Sequence, residues 1–337
     1  MIIVFFAKLN YSQSIQFSQF YSAPLTLAPS FTGATEKGRF IVNFRDQWPS
    51  IKGTYTTFAT SYDQYFSKIK SGMGISIMRD QAGSGNLALT EVGVSYSWEG
   101  KITNSNGGWY FKPGISFKMS QLSLNFPKLI FGDQITSDGT SPVSIETPTA
   151  PSKSYLDAAT SIIVYNSDFF WGGISVDHLF KPNQSLYYEE GTRLPMKTSV
   201  FVGYKINVGQ AQKRSQYDKD QESVTFTAHY RYFKPYDQLD FGAYWVHDPF
   251  TLGAWIRGLP ITSKSVLAST KRFDNFDAVV FLVGYKIFDL HIGYSYDLTI
   301  SNLIGNTGGA HEISIIYEFD ANVKTKNKHA TIPCPKF

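Results

Sequence analysis

The clearest pattern in this chain is Leu290-His291-Ile292-Gly293-Tyr294-Ser295-Tyr296-Asp297-Leu298. Its even-numbered positions are large and apolar or aromatic, and its odd-numbered positions are small or polar. Successive side chains of an extended strand point to opposite faces, so this alternation predicts a β-strand with one apolar face and one polar face. A helix would need apolar residues every three to four positions, and the stretch lacks that period.

The same alternation recurs along most of the chain, with breaks at clusters of Gly, Pro, Asn and Asp. It predicts strands at 39–48, 54–65, 71–80, 87–98, 107–120, 155–165, 169–178, 195–207, 221–233, 239–248, 251–259, 273–287, 289–299 and 309–319. Most of them hold about 9–13 residues, which suits tilted strands that cross a bilayer. The sequence therefore predicts an all-β fold: a single antiparallel transmembrane β-barrel of about 14 strands over 39–319.

The connections between these strands also follow a rule. Long ones come after odd-numbered strands, at 121–154, 179–194 and 260–272, and very short ones come after even-numbered strands, at 166–168, 247–250 and 288. This order predicts long outer loops, short periplasmic turns and termini on the periplasmic side. Two even-numbered connections, 99–106 and 208–220, are longer than ideal turns. A soluble β-sandwich also alternates, but it would rarely sustain strands of this length.

The composition excludes several classes of protein. Lys and Arg number 31 against 27 Asp and Glu, and a formal net charge of +4 gives no reason to expect a nucleic-acid partner. The single cysteine, Cys334, excludes a disulfide framework and a cysteine-built zinc site. No apolar run approaches the ~18 residues of a spanning helix, so a membrane-spanning form of this chain must be a barrel.

The two ends of the chain differ from the strand region. Residues 1–13 are predicted to be a signal peptide, complete or shortened at its start, because 2–7 is a short apolar run; the alternative is an ordinary buried strand. Residues 320–337 are basic and polar and are predicted to be a periplasmic tail.

The segment 14–38 carries many apolar side chains around two prolines, which oppose both regular helix and strand pairing. Its candidate functional residues are Phe17, Phe20, Tyr21, Pro24, Pro29 and Phe31. Burial of one large apolar side chain is worth about 1.5–3 kcal/mol, so these groups would not stay in water. We expect the segment either to plug the periplasmic half of the lumen or to dock a partner.

Charged residues on the strands should face the lumen, because lipid does not accept unpaired charge. The alternation places there Arg45, Asp63, Asp157, Asp177, Arg231, Asp297 and Glu312. Both signs are present, which favours a paired structural network, with a path for ions or solutes as the alternative. Gly-x-Ser-x-Gly, His-x-x-x-His and Cys-x-x-Cys spacings are absent from the sequence, so we predict no catalytic residue, cofactor or metal.

Three stretches resemble the PorP/SprF family of outer-membrane proteins, which serve type IX secretion and gliding motility in Bacteroidetes. They are Gln16-Phe17-Ser18-Gln19-Phe20-Tyr21, Arg45-Asp46-Gln47-Trp48-Pro49, and Gly293-Tyr294-Ser295-Tyr296-Asp297-Leu298-Thr299 with Gly308-Gly309-Ala310-His311-Glu312 behind it. Each motif is weakly specific, but the ordered set spans almost the whole chain.

The resemblance implies an outer-membrane barrel in contact with lipid, not an enzyme. Its function would be to receive or anchor a secreted, adhesin-like surface protein that carries a C-terminal targeting domain. Its other partners would be periplasmic components of the secretion or gliding machinery. An outer-membrane solute channel or transporter is the alternative from a different class, and a barrel lipid hydrolase is a third.

Overall fold

The computed structural model describes residues 15–51, 53, 55–83, 85–103, 108–129, 134–136, 139–140, 151–186, 193–208, 222–234, 236–259, 277–300, 305, 307–320 and 331–335. The predicted signal peptide at 1–13 lies outside this part of the chain. Fourteen antiparallel strands form one closed barrel, which confirms the predicted fold.

Each barrel strand contains the alternating pattern that predicted it. The strands are β1 (Gly38–Gln47), β2 (Tyr55–Phe66), β3 (Ser71–Ala82), β4 (Leu87–Trp98), β6 (Trp109–Ser123), β9 (Ser152–Asn166), β10 (Phe170–Asp177), β11 (Lys197–Asn207), β12 (Ser223–Phe233), β13 (Tyr236–His247), β14 (Phe250–Leu259), β15 (Ala278–Ile287), β16 (Leu290–Thr299) and β17 (Ala310–Phe319). Three two-residue strands stand outside the barrel proper: β5 (Gly100–Lys101) pairs with β6, and β7 (Ile135–Thr136) pairs with β8 (Gly139–Thr140).

The barrel closes between its first and last strands. β1 pairs with β17 from Gly38 opposite Phe319 to Gln47 opposite Ala310, and Arg45 lies directly opposite Glu312 in this register. Every other barrel strand pairs with its neighbours in the sequence. A sheet closed in this way has no free edge, so its backbone groups are satisfied between strands, as a lipid environment requires.

The two rims of the barrel differ. We call the rim where β1 begins and β17 ends the terminal end, and the opposite rim the loop end. The longest connections, from β6 to β9, from β10 to β11 and from β14 to β15, leave the loop end, as predicted. The loop end also has two short connections, between β3 and β4 and between β12 and β13, that the odd–even rule did not predict.

The outer and inner faces follow the alternation. Tyr294 and Leu298 are about 42% and 40% exposed on the outside, whereas Ser295 and Asp297 between them are buried on the lumen side. Tyr110 on β6 lies on the inner face, where it packs against Tyr165 with ring centroids 5.5 Å apart. The helices in the described part of the chain are all too short to cross a membrane.

The N-terminal segment forms three short helical turns before β1. They are a 3-10 turn at Phe20–Ser22, an α-helical turn at Pro24–Leu27 and a 3-10 turn at Pro29–Phe31. Pro24 and Pro29 open their turns, where a missing backbone N–H costs nothing because the first N–H groups of a helix have no internal partner. The prolines therefore divide the segment into compact pieces. A fourth turn, Phe126–Lys128, follows β6.

Part of the C-terminal tail returns to the barrel. Ile332 is buried in the same hydrophobic cluster as Phe20, Tyr21 and Phe31, and Cys334 packs against that cluster. The basic composition of 320–337 did not predict this. The short apolar run around Ile332 is the only signal for it in the sequence.

Candidate functional site

The lumen of the barrel contains the N-terminal segment, and we call residues 15–34 the plug. Gln16 lies near Asp240, four positions from the loop-end start of β13, with 3.5 Å between Gln16 Nε2 and a carboxylate oxygen. Gly33 lies beside Gly72, next to the terminal-end start of β3. The plug thus runs from the loop half to the terminal end. Of the two expectations for this segment, the lumen plug is the one seen here, and its 20 residues in short turns extend from the terminal end into the loop half.

One side of the plug is apolar. It packs on inward-facing residues of β9 to β15, which we call the apolar wall: Ile163, Tyr165, Trp171, Phe201, Tyr244, Trp255, Val280 and Leu282. Phe31 is fully buried and its ring lies 5.4 Å from that of Phe201. Phe20 lies 4.8 Å from Trp255, also between ring centroids. Aromatic pairs at these separations add about 0.5–1.5 kcal/mol each beyond burial of their area.

The hydroxyl group of Tyr21 has a hydrogen-bond partner in the apolar wall. Its ring meets Trp171 edge-on with 5.6 Å between centroids, and the Trp171 Nε1–H donates to the Tyr21 hydroxyl at 3.1 Å. Buried tyrosine and tryptophan side chains need such a partner for their polar ends. The pair therefore fixes the orientation of Tyr21 as well as burying it.

Glycines on the barrel allow the plug backbone to come close. A Cβ added at Gly114 would meet the Ser30 nitrogen and, at 2.5 Å, the Pro29 carbonyl carbon. One added at Gly72 would meet the Thr32 carbonyl group. Real Cβ atoms do not approach backbone this closely, so only glycine fits while the plug is seated.

The terminal end of the plug is held by buried charges. Arg39 binds Asp63 through Nε at 2.9 Å and Nη2 at 3.0 Å, and the Asp63 oxygen that Nη2 reaches, Oδ2, also accepts the Gly33 N–H at 2.7 Å. Lys112, fully buried, donates to the Gly33 carbonyl oxygen at 2.7 Å. Asp63 thus has its acceptor sites filled by one side chain and by the plug backbone, which is what a buried carboxylate requires.

The other end of the plug is held by a larger ionic cluster. Arg45 binds Asp297 at 2.7 Å and Glu312 at 3.1 Å, and Arg257 binds Asp297 at 2.8 Å. Glu312 also accepts the backbone N–H groups of Ser18 and Gln19 at 2.7 and 2.9 Å. The plug therefore supplies donors that the barrel's carboxylates would otherwise lack.

This cluster belongs to a charged belt that circles the lumen near the loop end. Its members lie within five residues of that rim: Arg45, Glu91, Lys118, Asp177, Lys197, Arg231, Asp240, Arg257, Asp297 and Glu312. Further pairs in the belt are Lys118–Glu91 at 3.1 Å, Lys118–Asp177 at 3.9 Å, Lys197–Asp177 at 3.2 Å and Arg231–Asp240 at 2.5 Å. Beside the belt, His178 Nδ1 pairs with Asp157 at 2.6 Å, not with its neighbour Asp177.

All thirteen residues singled out from the sequence lie in or around the lumen. The six apolar plug residues are buried, and six of the seven charged ones are buried with a seventh, Arg231, partly so. Sequence reasoning did not single out Ser18, Gln19, Lys112 or Gly114. Polar residues inside an apolar segment were the signal for the first two, but their acceptors Asp297, Glu312 and Ser295 lie more than 270 positions away.

A family model described as type IX secretion system membrane protein PorP/SprF matches residues 9–317. The chain belongs to the PorP/SprF family. The match includes the plug and nearly all of the barrel, and it confirms the resemblance seen in the motifs. This PorP/SprF protein is therefore a membrane protein of the type IX secretion class.

Several solved structures are similar to this PorP/SprF chain at low identity. The TodX deltaS2S3 mutant, a monoaromatic hydrocarbon channel, has a TM-score of 0.47 at 11% identity, covering 87% of this chain and 92% of its own. Omp33 of Acinetobacter baumannii, an outer membrane protein, has a TM-score of 0.38 at 8% identity. The match covers 84% of this chain and 99% of Omp33. Likenesses of this size indicate nothing about function.

CdiB from Acinetobacter baumannii is a third similar structure, with a TM-score of 0.41 at 7% identity. The match covers 85% of this chain but 60% of CdiB, so the PorP/SprF barrel spans about three fifths of that protein. No curated protein matches the chain in sequence.

Proposed function

We propose that this PorP/SprF protein is a plugged outer-membrane barrel that anchors a secreted surface protein with a C-terminal targeting domain at its loop end. The observation that supports this is the seated plug, which packs on the apolar wall and is held by buried charges at both ends. A barrel filled by its own chain offers partners its rims and the cavities that open at them, and no open lumen.

The loop end is the better docking face for the secreted protein. Its three longest connections are carried on a rigid sheet, the arrangement in which binding variation is normally placed. The terminal end is left for periplasmic components of the secretion or gliding machinery. It presents mostly short turns there, such as the two residues between β15 and β16.

The alternative function, a solute channel, needs a route past the plug. The apolar wall, Ile332 and the backbone contacts at Gly72 and Gly114 leave little space along that side. A steady conductance of the full-length protein in planar bilayers would favour the channel. We expect none.

Two deletions of equal length test the anchor. One removes 141–150 from the connection that leaves the loop end after β6, and its matched control removes 211–220 from the connection at the terminal end after β11. We expect the first to weaken co-purification of a secreted protein carrying the C-terminal targeting domain, and the second to leave it unchanged. Both proteins should retain heat-modifiable migration, which reports an intact barrel.

Equal capture by both variants would contradict loop-end docking. Loss of capture in the control alone would move the docking face to the terminal end. We also propose that the protein is not an enzyme, and turnover of phospholipid by the purified barrel would overturn that.

A further inference from the structure

Two cations are neighbours in the charged belt. Lys197 begins β11 and Arg231 lies two residues from the end of β12, so both are at the loop end on adjacent strands. Lys197 pairs with Asp177 on one side and Arg231 pairs with Asp240 on the other. An anion bound between the two cations would offset their mutual repulsion.

A cavity of about 40 Å³ lies at this position. Lys197, Ser199, His229 and Arg231 line its barrel side, and Gln16 and Phe20 are among the plug residues on the other side. One water needs roughly 10–15 Å³ of such space, so the cavity has room for about three waters. A carboxylate group, with three heavy atoms, is of the same size.

The lining offers hydrogen-bond donors to such a group. His229 is 4% exposed, and neither of its ring nitrogens meets a hydrogen-bond partner among the described residues. Its ring packs on Phe20 of the plug with 5.1 Å between centroids, which holds it in place. In any protonation state the imidazole has at least one N–H to donate.

Arg231 offers further donors. A guanidinium has five N–H groups, and Asp240 takes one of them at 2.5 Å. Its Nε meets no partner in the described part of the chain. Asp240 itself is occupied by the Gln238 amide at 3.0 Å and the Gly258 N–H at 3.2 Å. The side chains of Lys197 and Arg231 remain 15% and 14% exposed, so the cavity can be reached from the loop end.

We propose that this cavity is a carboxylate-binding site that opens toward the loop end. Arg231 and His229 donate to the carboxylate oxygens, and Lys197 supplies a second positive charge. Charge-assisted bonds from a guanidinium to a carboxylate are among the strongest that side chains make. The site rests on the proposed function only for the origin of its ligand: a captured protein would present the carboxylate at the end of its chain.

The full-length barrel in detergent tests the site with three probes. They are sodium acetate, an N-acetylated dipeptide with a free C-terminal carboxylate, and the same dipeptide amidated, with binding measured by titration calorimetry against a sodium chloride background. We expect acetate and the acid dipeptide to bind and the amide not to. His229→Phe, which keeps the ring against Phe20 but has no donor, should weaken acetate binding at least tenfold.

His311→Phe serves as the matched control, because His311 lies on the outer face beside Tyr294. It should bind acetate as the unsubstituted protein does. Binding of acetate but not of the acid dipeptide supports the site and assigns it to small free carboxylates, while loop-end capture stands or falls on the deletion experiment. Absence of acetate binding, or equal affinity in His229→Phe, would overturn the proposal and leave the cavity to water.

Discussion

The apolar wall and the charged belt bind the same plug through different interactions: apolar burial in the wall, and ion pairs and hydrogen bonds in the belt. The wall buries rings such as Phe31 without a strict requirement on direction, and its contribution grows with the area removed from water. The belt and the Asp63 site act on single atoms: Glu312 accepts two consecutive backbone N–H groups, and Lys112 donates to one carbonyl. The wall therefore supplies most of the stabilisation, and the ionic sites determine where along the axis the plug stops.

The largest effect should come from breaking the belt at Arg45. Arg45→Met leaves Asp297 and Glu312 buried with fewer partners, and removal of one member of a buried ion pair typically costs about 3–5 kcal/mol. Urea unfolding of the barrel in detergent would measure it. In the double variant Arg45→Met with Glu312→Gln part of the loss should return, because one stranded charge is gone. No recovery would mean that the plug donors, not the charges, carry the energy.

Truncation of Phe31 tests the wall in the same assay. Phe31→Ala should cost about 3 kcal/mol, near the lower limit for a buried phenylalanine, because Phe201 and Ile332 can relax into the space. The position of the plug along the barrel axis should not change. The Gly33 N–H, which donates to Asp63, should therefore stay protected from hydrogen exchange. Phe288→Ala is the control, since Phe288 is 92% exposed and should lose almost nothing. Faster exchange at Gly33 would show that the wall also sets the register.

Gly114 on β6 lies against the plug backbone at Pro29 and Ser30. Gly114→Ala places a methyl group against Pro29 and Ser30, and overpacking of this kind costs about 1–3 kcal/mol. The matched control is Gly172→Ala on β10, where the added Cβ would lie 3.3 Å from the Phe170 ring, a tolerable contact. In Gly114→Ala the midpoint of thermal unfolding should be well below that of the control. Equal midpoints would imply that the plug leaves its seat at little cost.

The smallest effect belongs to a pair outside the belt, at the terminal end. Lys37 Nζ lies 2.5 Å from Asp289 Oδ1, and this hydrogen bond lowers the pKa of Asp289 and raises that of Lys37. The contribution of Asp289 is present above the ordinary carboxyl pKa and is lost as pH falls through its lowered value. That of Lys37 is present below the ordinary amine pKa and is lost as pH rises through its raised value.

Lys37→Gln should therefore lower the unfolding midpoint slightly at neutral pH and leave it unchanged in strong acid. Lys286→Gln is a suitable comparison, because its partner Asp248 lies 3.2 Å away on another exposed turn. A difference that persisted in strong acid would mean that Lys37 acts through packing.

The alternation along the chain was enough to predict the strands, their number and their faces, because a period of two assigns each side chain to lipid or lumen. It also placed Arg45 and Asp297 inside. It could not pair them, since they are 252 positions apart and each had several candidate partners at the same level. His178 shows the same limit: its partner Asp157 is 21 positions away, on another strand.

A wide barrel also permits a wet or a filled lumen, and composition alone does not distinguish them. The filled lumen determines which substitutions Ser295 accepts. An open lumen would accept Ser295→Lys more easily than Tyr294→Lys on the lipid side. Ser295 is fully buried and accepts the Gln19 amide at 3.1 Å, so a lysine there must displace the plug and should be poorly tolerated.

The register of the barrel's closure places Arg45 on the first strand directly opposite Glu312 on the last. The N–H groups of Ser18 and Gln19 donate to the same carboxylate. The plug therefore binds the barrel where its first and last strands pair, as well as filling the lumen behind them. If the two strands met one residue out of step, Glu312 would face lipid and both plug donors would lose their acceptor. The plug therefore favours the observed pairing of the first and last strands, because only this register gives both of its donors their acceptor.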